Sequence, residues 1–357
     1  VQLSAASFSV AEQAGSAALT VVRTGDLSRE ARVDYATSDF SADARSDYTS
    51  TRGTLRFAPG ETTQTITVLL TDDAYVEPDE MINVSLGGGD GCALGERAST
   101  MLTIVDNDTS LSATNPLSDA RFFTREHYHD FLNREPDESG LAFWANQLEA
   151  CGTDVACIEE KRVNVSAAFF LSIEFQQTGY FVDRLYKASF ANRPSMAEFL
   201  PDTQEAGRGV VVGAPAWEQQ LEANKRDFVE RWVARAEFKS AFDALTNEAF
   251  VDRLFANAGV APDLSERASL ISGLNAGTQT RASVLRRISE NAEFTKKEFN
   301  PAFVLMQYLG YLRRDPDDAG FQFWLNKLDS FNGNFVQAEM VKAFIVSDEY
   351  KKRFGSN

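Results

Sequence analysis

Histidine is nearly missing from this chain: His127 and His129 are the only two in 357 residues. That leaves little material for a Ser–His–acid triad, and no G-x-S-x-G elbow accompanies them. Two apart on a helix, they point to different sides and make a poor metal pair. Lysine is missing until Lys161. No apolar run approaches the ~20 residues that span a bilayer. Lacking an initiator Met and a signal peptide, the chain reads as a mature or excised product. Its net charge of −17 would repel phosphate, which argues against a nucleic-acid partner. Cysteine is scarce too, with three in all. In "CGTDVAC", Cys151 and Cys157 flank a Gly-containing loop, a spacing suited to a local disulfide in an oxidising compartment. A zinc site would need two more soft ligands, and none follows. Cys92 reads as a small buried residue.

What is present divides the chain. Residues 1–110 hold seventeen acidic and seven basic residues, all seven Arg, for a net of −10, against −7 in the remaining 247. A step of this kind marks a domain boundary. "FSVAEQAG", "ALTVVRTG", "ARVDYATS", "GTLRFAPG", "TQTITVLLT", "MINVSL" and "STMLTIVDND" are short alternating runs punctuated by Gly, Pro, Asn or Asp. They predict an antiparallel β-sandwich over residues 1–108. "GGGDGCALG" lacks a Walker Lys and reads as an inter-strand loop. Residues 109–118, "TSLSATNPLS", read as a linker.

From about residue 119 the period becomes helical. In "FVDRLYKASF", Phe181, Leu185, Tyr186 and Phe190 share one face. The pattern recurs: Phe123–Tyr128–Pro136, Phe181–Tyr186–Pro194, Phe250–Phe255–Pro262 and Phe303–Tyr308–Pro316 keep one spacing, slipping by one residue in the third. Each unit closes similarly, as "FFLSIEF", "VARAEF", "ISENAEF" and "FIVSDEY". Four related multi-helix units are expected, at about 119–180, 181–248, 249–300 and 301–354, forming an all-α region of stacked repeats with a shared core. In "RRDPDDAGFQFW", Asp315 suits the N-cap, Pro316 the N1 position, and Asp317 and Asp318 the positive end of the helix dipole. The helical period of the aromatics assigns Trp144 and Trp324 to the core.

One stretch stands out chemically. "TDDAYVEPDEMINVSL" gathers Asp72, Asp73, Glu77, Asp79 and Glu80 within nine residues. At contact distance each like-charged pair repels by roughly 4 kcal/mol at an effective dielectric near 20. Either water solvates these acids or a cation gathers them. Calcium accepts six to eight oxygens in a flexible shell. Other acidic loops carry Glu12, Asp47 and Asp106–Asn107–Asp108, and up-and-down strands would bring all of them to one pole.

"SDY", "FAPGETTQTITVLLTDD", "EPDE" and "TIVDND", in that order, resemble the Calx-β domain of sodium–calcium exchangers and bacterial surface proteins. The resemblance implies an immunoglobulin-like sandwich that binds calcium at one end. It implicates Glu12, Asp47, Asp72, Asp73, Glu77, Glu80, Asp106 and Asp108 as ligands, with Asn107 a neutral oxygen where exchangers carry a third acid, and leaves Asp79 facing water. Arg134 to Trp144 and Arg314 to Trp324, with Ser172–Phe175 and Ser347–Tyr350, resemble the bacterial family DUF4214. That family is found in secreted and surface proteins and implies no defined activity. Its "PDESG" and "DPDDAG" acids read as helix caps.

The expected function is that of a secreted, non-enzymatic, calcium-binding structural protein of the cell surface, assembling with copies of itself. A rigidified acidic pole would also set the angle between the sandwich and the helical half. An adhesin or glycan-binding module is the alternative, and a polysaccharide hydrolase the third reading.

Overall fold

Alternation of apolar and polar residues places one face of each early strand in a shared core. Among the described residues the strands are β1 (Gln2–Leu3), β2 (Ser7–Ala11), β3 (Ser16–Val22), β4 (Ala31–Asp39), β5 (Arg52–Phe57), β6 (Thr63–Leu69), β7 (Glu80–Asp90) and β8 (Ser99–Val105). They form two sheets, ordered β1-β3-β6 and β2-β8-β7-β4-β5. Between the sheets Leu19, Val21, Val33, Phe57, Ile66, Val68, Ile82, Val84 and Leu102 are fully buried, each contributing about 1.5–3 kcal/mol through removal from water. The computed structural model describes residues 1–109 and 114–356.

Several details of this region differ from the sequence reading. The sandwich is not wholly antiparallel, because β2 pairs with β8 in parallel, from Ser7↔Met101 to Ala11↔Val105. The glycines Gly87–Gly89 extend β7 rather than forming loop. Residues 110–113 of the expected linker lie outside the described residues, but Pro116–Ser118 form a 3₁₀ turn capped by Asn115, with Leu117 buried. Cys92 is free and half-buried, its Sγ donating to the carbonyl of Arg32 at 3.3 Å.

The chain divides into two compact units: Val1–Phe169 with Val341–Asn357, and Phe170–Met340. The first therefore contains the sandwich, the opening helices and the returning end of the chain. Helix Ala120–His127 runs into a π-turn, Tyr128–Leu132, which ends at Asn133 in the left-handed region. Both nitrogens of buried His127 are engaged, by the Phe123 carbonyl and Ser166 Oγ at 2.7 Å each. Burial lowers its pKa to about 4, so it is a neutral structural group. Asp130 on the π-turn receives both guanidinium nitrogens of Arg353 at 2.9 Å, and both residues are buried. Cys151 and Cys157 form a disulfide with Cα atoms 5.6 Å apart.

In the second unit, helix Gly179–Phe190 buries Phe181, Leu185 and Tyr186 as expected, but Asp183 and Arg184 on its other faces are buried too. The helix caps shift from the expected frame. Asp317, not Asp315, caps Asp318–Ser330, accepting from the Gly320 amide at 2.8 Å. Asp137 caps Glu138–Glu149 in the same way. Pro316 thus precedes the cap, and Asp315 accepts instead from the Met196 amide at 2.5 Å. The glycine in this grammar has a steric cause: a Cβ at Gly320 would lie 2.5 Å from the Tyr308 hydroxyl, and Tyr128 crowds Gly140 likewise. Trp144 and Trp324 are half-buried, not core, each packed edge-on against an exposed neighbour, Phe143 at 4.8 Å and Phe323 at 5.1 Å. The largest fully buried side chain is Trp232.

The Asp130–Arg353 pair sets an expected outcome. Asp130→Ala removes the carboxylate that faces a buried guanidinium and should cost about 3–5 kcal/mol, whereas combining it with Arg353→Met should recover much of the loss. Urea unfolding of the parent, single and double variants measures both effects, and equal losses in the single and double variants would refute the pairing energy.

Candidate metal centre

Strand register builds the acidic pole. Because β2 and β8 run parallel with Ala11 beside Val105, the next residues out of the sheet, Glu12 and Asp106, emerge side by side. Antiparallel β7 starts at the same end, with Glu80 opposite Ile104, and β4 finishes there, with Asp39 opposite Ile82. The β4–β5 loop then carries Asp47 back toward β6, where the Thr71 amide donates to the Asp47 carbonyl at 2.9 Å.

Two oxygen clusters result. Glu12, Asp106 and Asp108 each offer an oxygen within 4.8 Å of the others, as do Asp47, Glu77 and Glu80. Hydrogen bonds join the loops: the Glu77 amide donates to Asp106 Oδ2 at 2.8 Å, and the Asp108 amide to Asp106 Oδ1 at 2.8 Å. The Tyr75 amide donates to Asp73 at 2.7 Å, and that of Asp43 to Asp47 at 2.6 Å. Asn107 donates its side-chain amide to Asp72 at 3.1 Å, so it braces an acid. All eight expected residues thus stand at one pole, and Asp79 is exposed.

The electrostatics are those of acids short of positive charge. Burial, then Asp73 and Asp72, raises Glu12 to about 8. Burial and then Asp47 raises Glu80 to about 8. Asp73 rises to about 7 through burial, with Glu77, Asp47 and Asp108 adding to it against the Tyr75 amide. Asp73 therefore feels charges from both clusters. Burial also raises Asp72, Glu77 and Asp108. Two buried oxygens, Glu12 Oε1 and Asp108 Oδ2, have no hydrogen-bond partner. An all-oxygen, carboxylate-rich set with orphaned acceptors fits a hard divalent cation of calcium type and suits a thiophilic metal poorly.

Sequence reasoning missed the positive groups nearby. Arg125, on helix Ala120–His127, donates to the carbonyls of Ala14 at 2.6 Å and Gln13 at 3.4 Å, on the loop after Glu12. It also pairs with Glu135 at 3.0 Å and pulls against the rise at Asp72. Gly15, at φ 70°, leaves room for the guanidinium, which a Cβ there would overlap. Arg45 pairs with Glu349 at 2.8 Å, and the Tyr75 hydroxyl donates to the Lys352 carbonyl at 3.2 Å. Three of the acidic loops are thereby fastened to helical segments of the same unit. No local signal in the sequence reports contacts across more than a hundred residues.

A family model described as the Calx-beta domain matches residues 1–108, and one described as a domain of unknown function (DUF4214) matches 109–179, 229–298 and 297–354. No curated protein matches the chain. Among solved structures, the apo form of the Calx CBD1 domain is 31% identical with a TM-score of 0.29, over 30% of this chain and 96% of that one. The calcium binding domain CBD12 of CALX1.1 is 31% identical with a TM-score of 0.29, and this chain covers 45% of it. The Calx CBD2 domain is 19% identical, with a TM-score of 0.28.

The raised pKa values give a signed expectation. Glu12, Asp73 and Glu80 hold protons more tightly folded than unfolded, so their contribution is fully present below the unfolded carboxylate pKa and lost as pH rises through about 7–8. In excess chelator, the melting temperature should be higher near pH 5.5 than near pH 8.5, and calcium should shrink the difference. A chelated protein that gains stability with rising pH would contradict this.

Proposed function

The chain belongs to the DUF4214 domain family and opens with a Calx-beta domain, and from that premise we propose that it is a non-enzymatic, calcium-binding structural protein of the cell surface that assembles with copies of itself. The observation carrying the calcium reading is the pole itself: two carboxylate clusters with oxygens inside 4.8 Å and two buried oxygens without partners. Glu12, Asp106 and Asp108 would hold one ion and Asp47, Glu77 and Glu80 another, with Asp72 and Asp73 adding charge to both. Bound there, calcium supplies the positive charge that offsets the mutual repulsion of these acids. Affinity of ~0.1–1 mM suffices outside cells, and a hundred-fold excess over the dissociation constant stabilises the fold by about 2.7 kcal/mol.

Secretion is supported by the Cys151–Cys157 disulfide, which persists in oxidising compartments. No helix among the described residues is long and apolar enough to cross a membrane. The repeated helical units favour a scaffold, since such units present extended surfaces rather than a reaction centre. A second reading, glycan binding, draws on Phe143 and Phe323, exposed at equivalent repeat positions beside Trp144 and Trp324.

Calorimetric titration of the full chain with calcium tests the pole. Glu12→Gln and Glu80→Gln should each weaken binding by about tenfold or more, and unaltered affinity in both would remove the assignment. Electron microscopy with and without calcium tests assembly, where particles that remain single in both conditions would refute it. Calcium should also slow hydrogen exchange in Ala120–His127, and Arg125→Ala should abolish that protection while leaving calcium affinity within about threefold.

A further inference from the structure

The second unit holds a cavity of about 430 Å³ whose chemistry the calcium pole does not touch. Helix Gly179–Phe190 contributes Asp183 and Lys187, helix Ala292–Gly310 contributes Glu298, Pro301 and Leu305, and helix Asp318–Ser330 closes it with Phe321 and Leu325. Asn192, Arg193 and Gln322 complete its lining, and its volume falls within the range of small-molecule sites.

Its polar groups are left wanting. Asp183 is fully buried, and neither of its carboxylate oxygens has a hydrogen-bond partner. Glu298 is buried as well, its Oε1 meeting Lys187 only at 3.5 Å and making no hydrogen bond. The other cations are committed elsewhere. Arg184 donates to the Ser289 carbonyl at 2.7 Å. Arg193, at the cavity edge, lies 4.4 Å above the Phe321 ring and pairs with exposed Asp318 at 2.6 Å. Two carboxyls therefore face one lysine beside Pro301, Leu305, Phe321 and Leu325. Leaving the Asp183 carboxyl buried and without a hydrogen-bond partner costs free energy that native proteins ordinarily recover through a partner.

We propose that this cavity binds a small organic cation, a primary amine on a short aliphatic body, whose ammonium group donates to Asp183 and Glu298 while its chain packs on Leu305, Phe321 and Leu325. An ammonium carries three donors and no acceptor, which matches acceptors lacking hydrogens, and the apolar wall selects against a bare hydrated metal ion. Burial first, and then Glu298, raises Asp183 to about 8, against the pull of Lys187 and Arg184. Its proton would therefore leave as the cation enters, and binding below that pH releases protons to the buffer.

Calorimetry of the full chain with n-butylamine, and with n-butanol as the uncharged isostere, tests the proposal. The amine should bind in the millimolar range or tighter, and the alcohol at least about tenfold more weakly. Asp183→Asn should lose about tenfold or more in amine affinity while retaining the native circular dichroism, since a neutral amide of the same shape replaces a carboxyl that is protonated in the free protein. Should that variant misfold, Glu298→Gln and the cavity-filling Leu325→Trp should show the same loss. Amine binding unchanged in the folded variants would place it elsewhere, the acidic pole included, and overturn the proposal. So would equal affinity for the alcohol, or no binding of the amine by about 10 mM.

Discussion

Crowding of carboxylates, some of them buried, sets the electrostatics of one pole of the first unit. The strands there are held by an ordinary apolar core, yet their register delivers Glu12, Asp47, Glu77, Glu80, Asp106 and Asp108 to one pole. The parallel β2–β8 pair is the decisive element. An antiparallel partner in its place would send the chain after β2 out of the opposite end, separating Glu12 from Asp106. Loop hydrogen bonds to Asp106 and Asp47 lessen the crowding, but Glu12, Asp73 and Glu80 remain far above the ordinary carboxylate range. Burial and neighbouring charge thus favour the protonated form of these three acids.

The same loops are where helices meet the sandwich. Arg125 grips the Gln13–Ala14 backbone, Arg45 reaches Glu349, and Tyr75 reaches the Lys352 carbonyl. An exposed ion pair such as Arg45–Glu349 contributes about 0–1 kcal/mol and a typical hydrogen bond about 0.5–1.5 kcal/mol, so the importance of these contacts lies in position. Each is one or a few residues from a carboxylate of the pole, Glu12, Asp47 or Asp73. Ordering of the pole and seating of the first and last helical segments thus share the same short stretches of backbone, which is the physical requirement for coupling between them.

Much of this was legible in the sequence because it is local. Alternation found the strands from β2 to β8, and the helical period found the buried Phe181, Leu185 and Tyr186 face of helix Gly179–Phe190. β1 was missed because two residues carry no period. The cap frame slipped by two, to Asp317, because the deciding contact is the Tyr308 hydroxyl on Gly320, twelve residues away. The acids of the pole were visible as residue types and loop positions, and so could be gathered by topology. Arg125 could not be, since nothing near it in the chain announces a target more than a hundred residues back. Asp183 and Arg184 were hidden for another reason: an amphipathic reading assigns charged residues to solvent, and this helix is enclosed on every side.

The repeats explain why such residues vary. Two positions after the leading Phe of each unit stand Arg125, Asp183, Asp252 and Leu305. Arg125 fastens the pole. Asp183 lies unpaired in the wall of a cavity. Asp252, exposed, pairs with Arg267 at 2.6 Å, a surface contact of modest energy. Leu305 is buried and lines the cavity that Asp183 faces. The leading Phe and the aromatic five residues on are buried in every unit, while this position takes cation, buried acid, exposed acid or hydrocarbon. A buried unpaired acid is the costliest of the four to keep. Where the frame accepts a leucine at the same place, retaining Asp183 points to a partner for it rather than to the demands of packing.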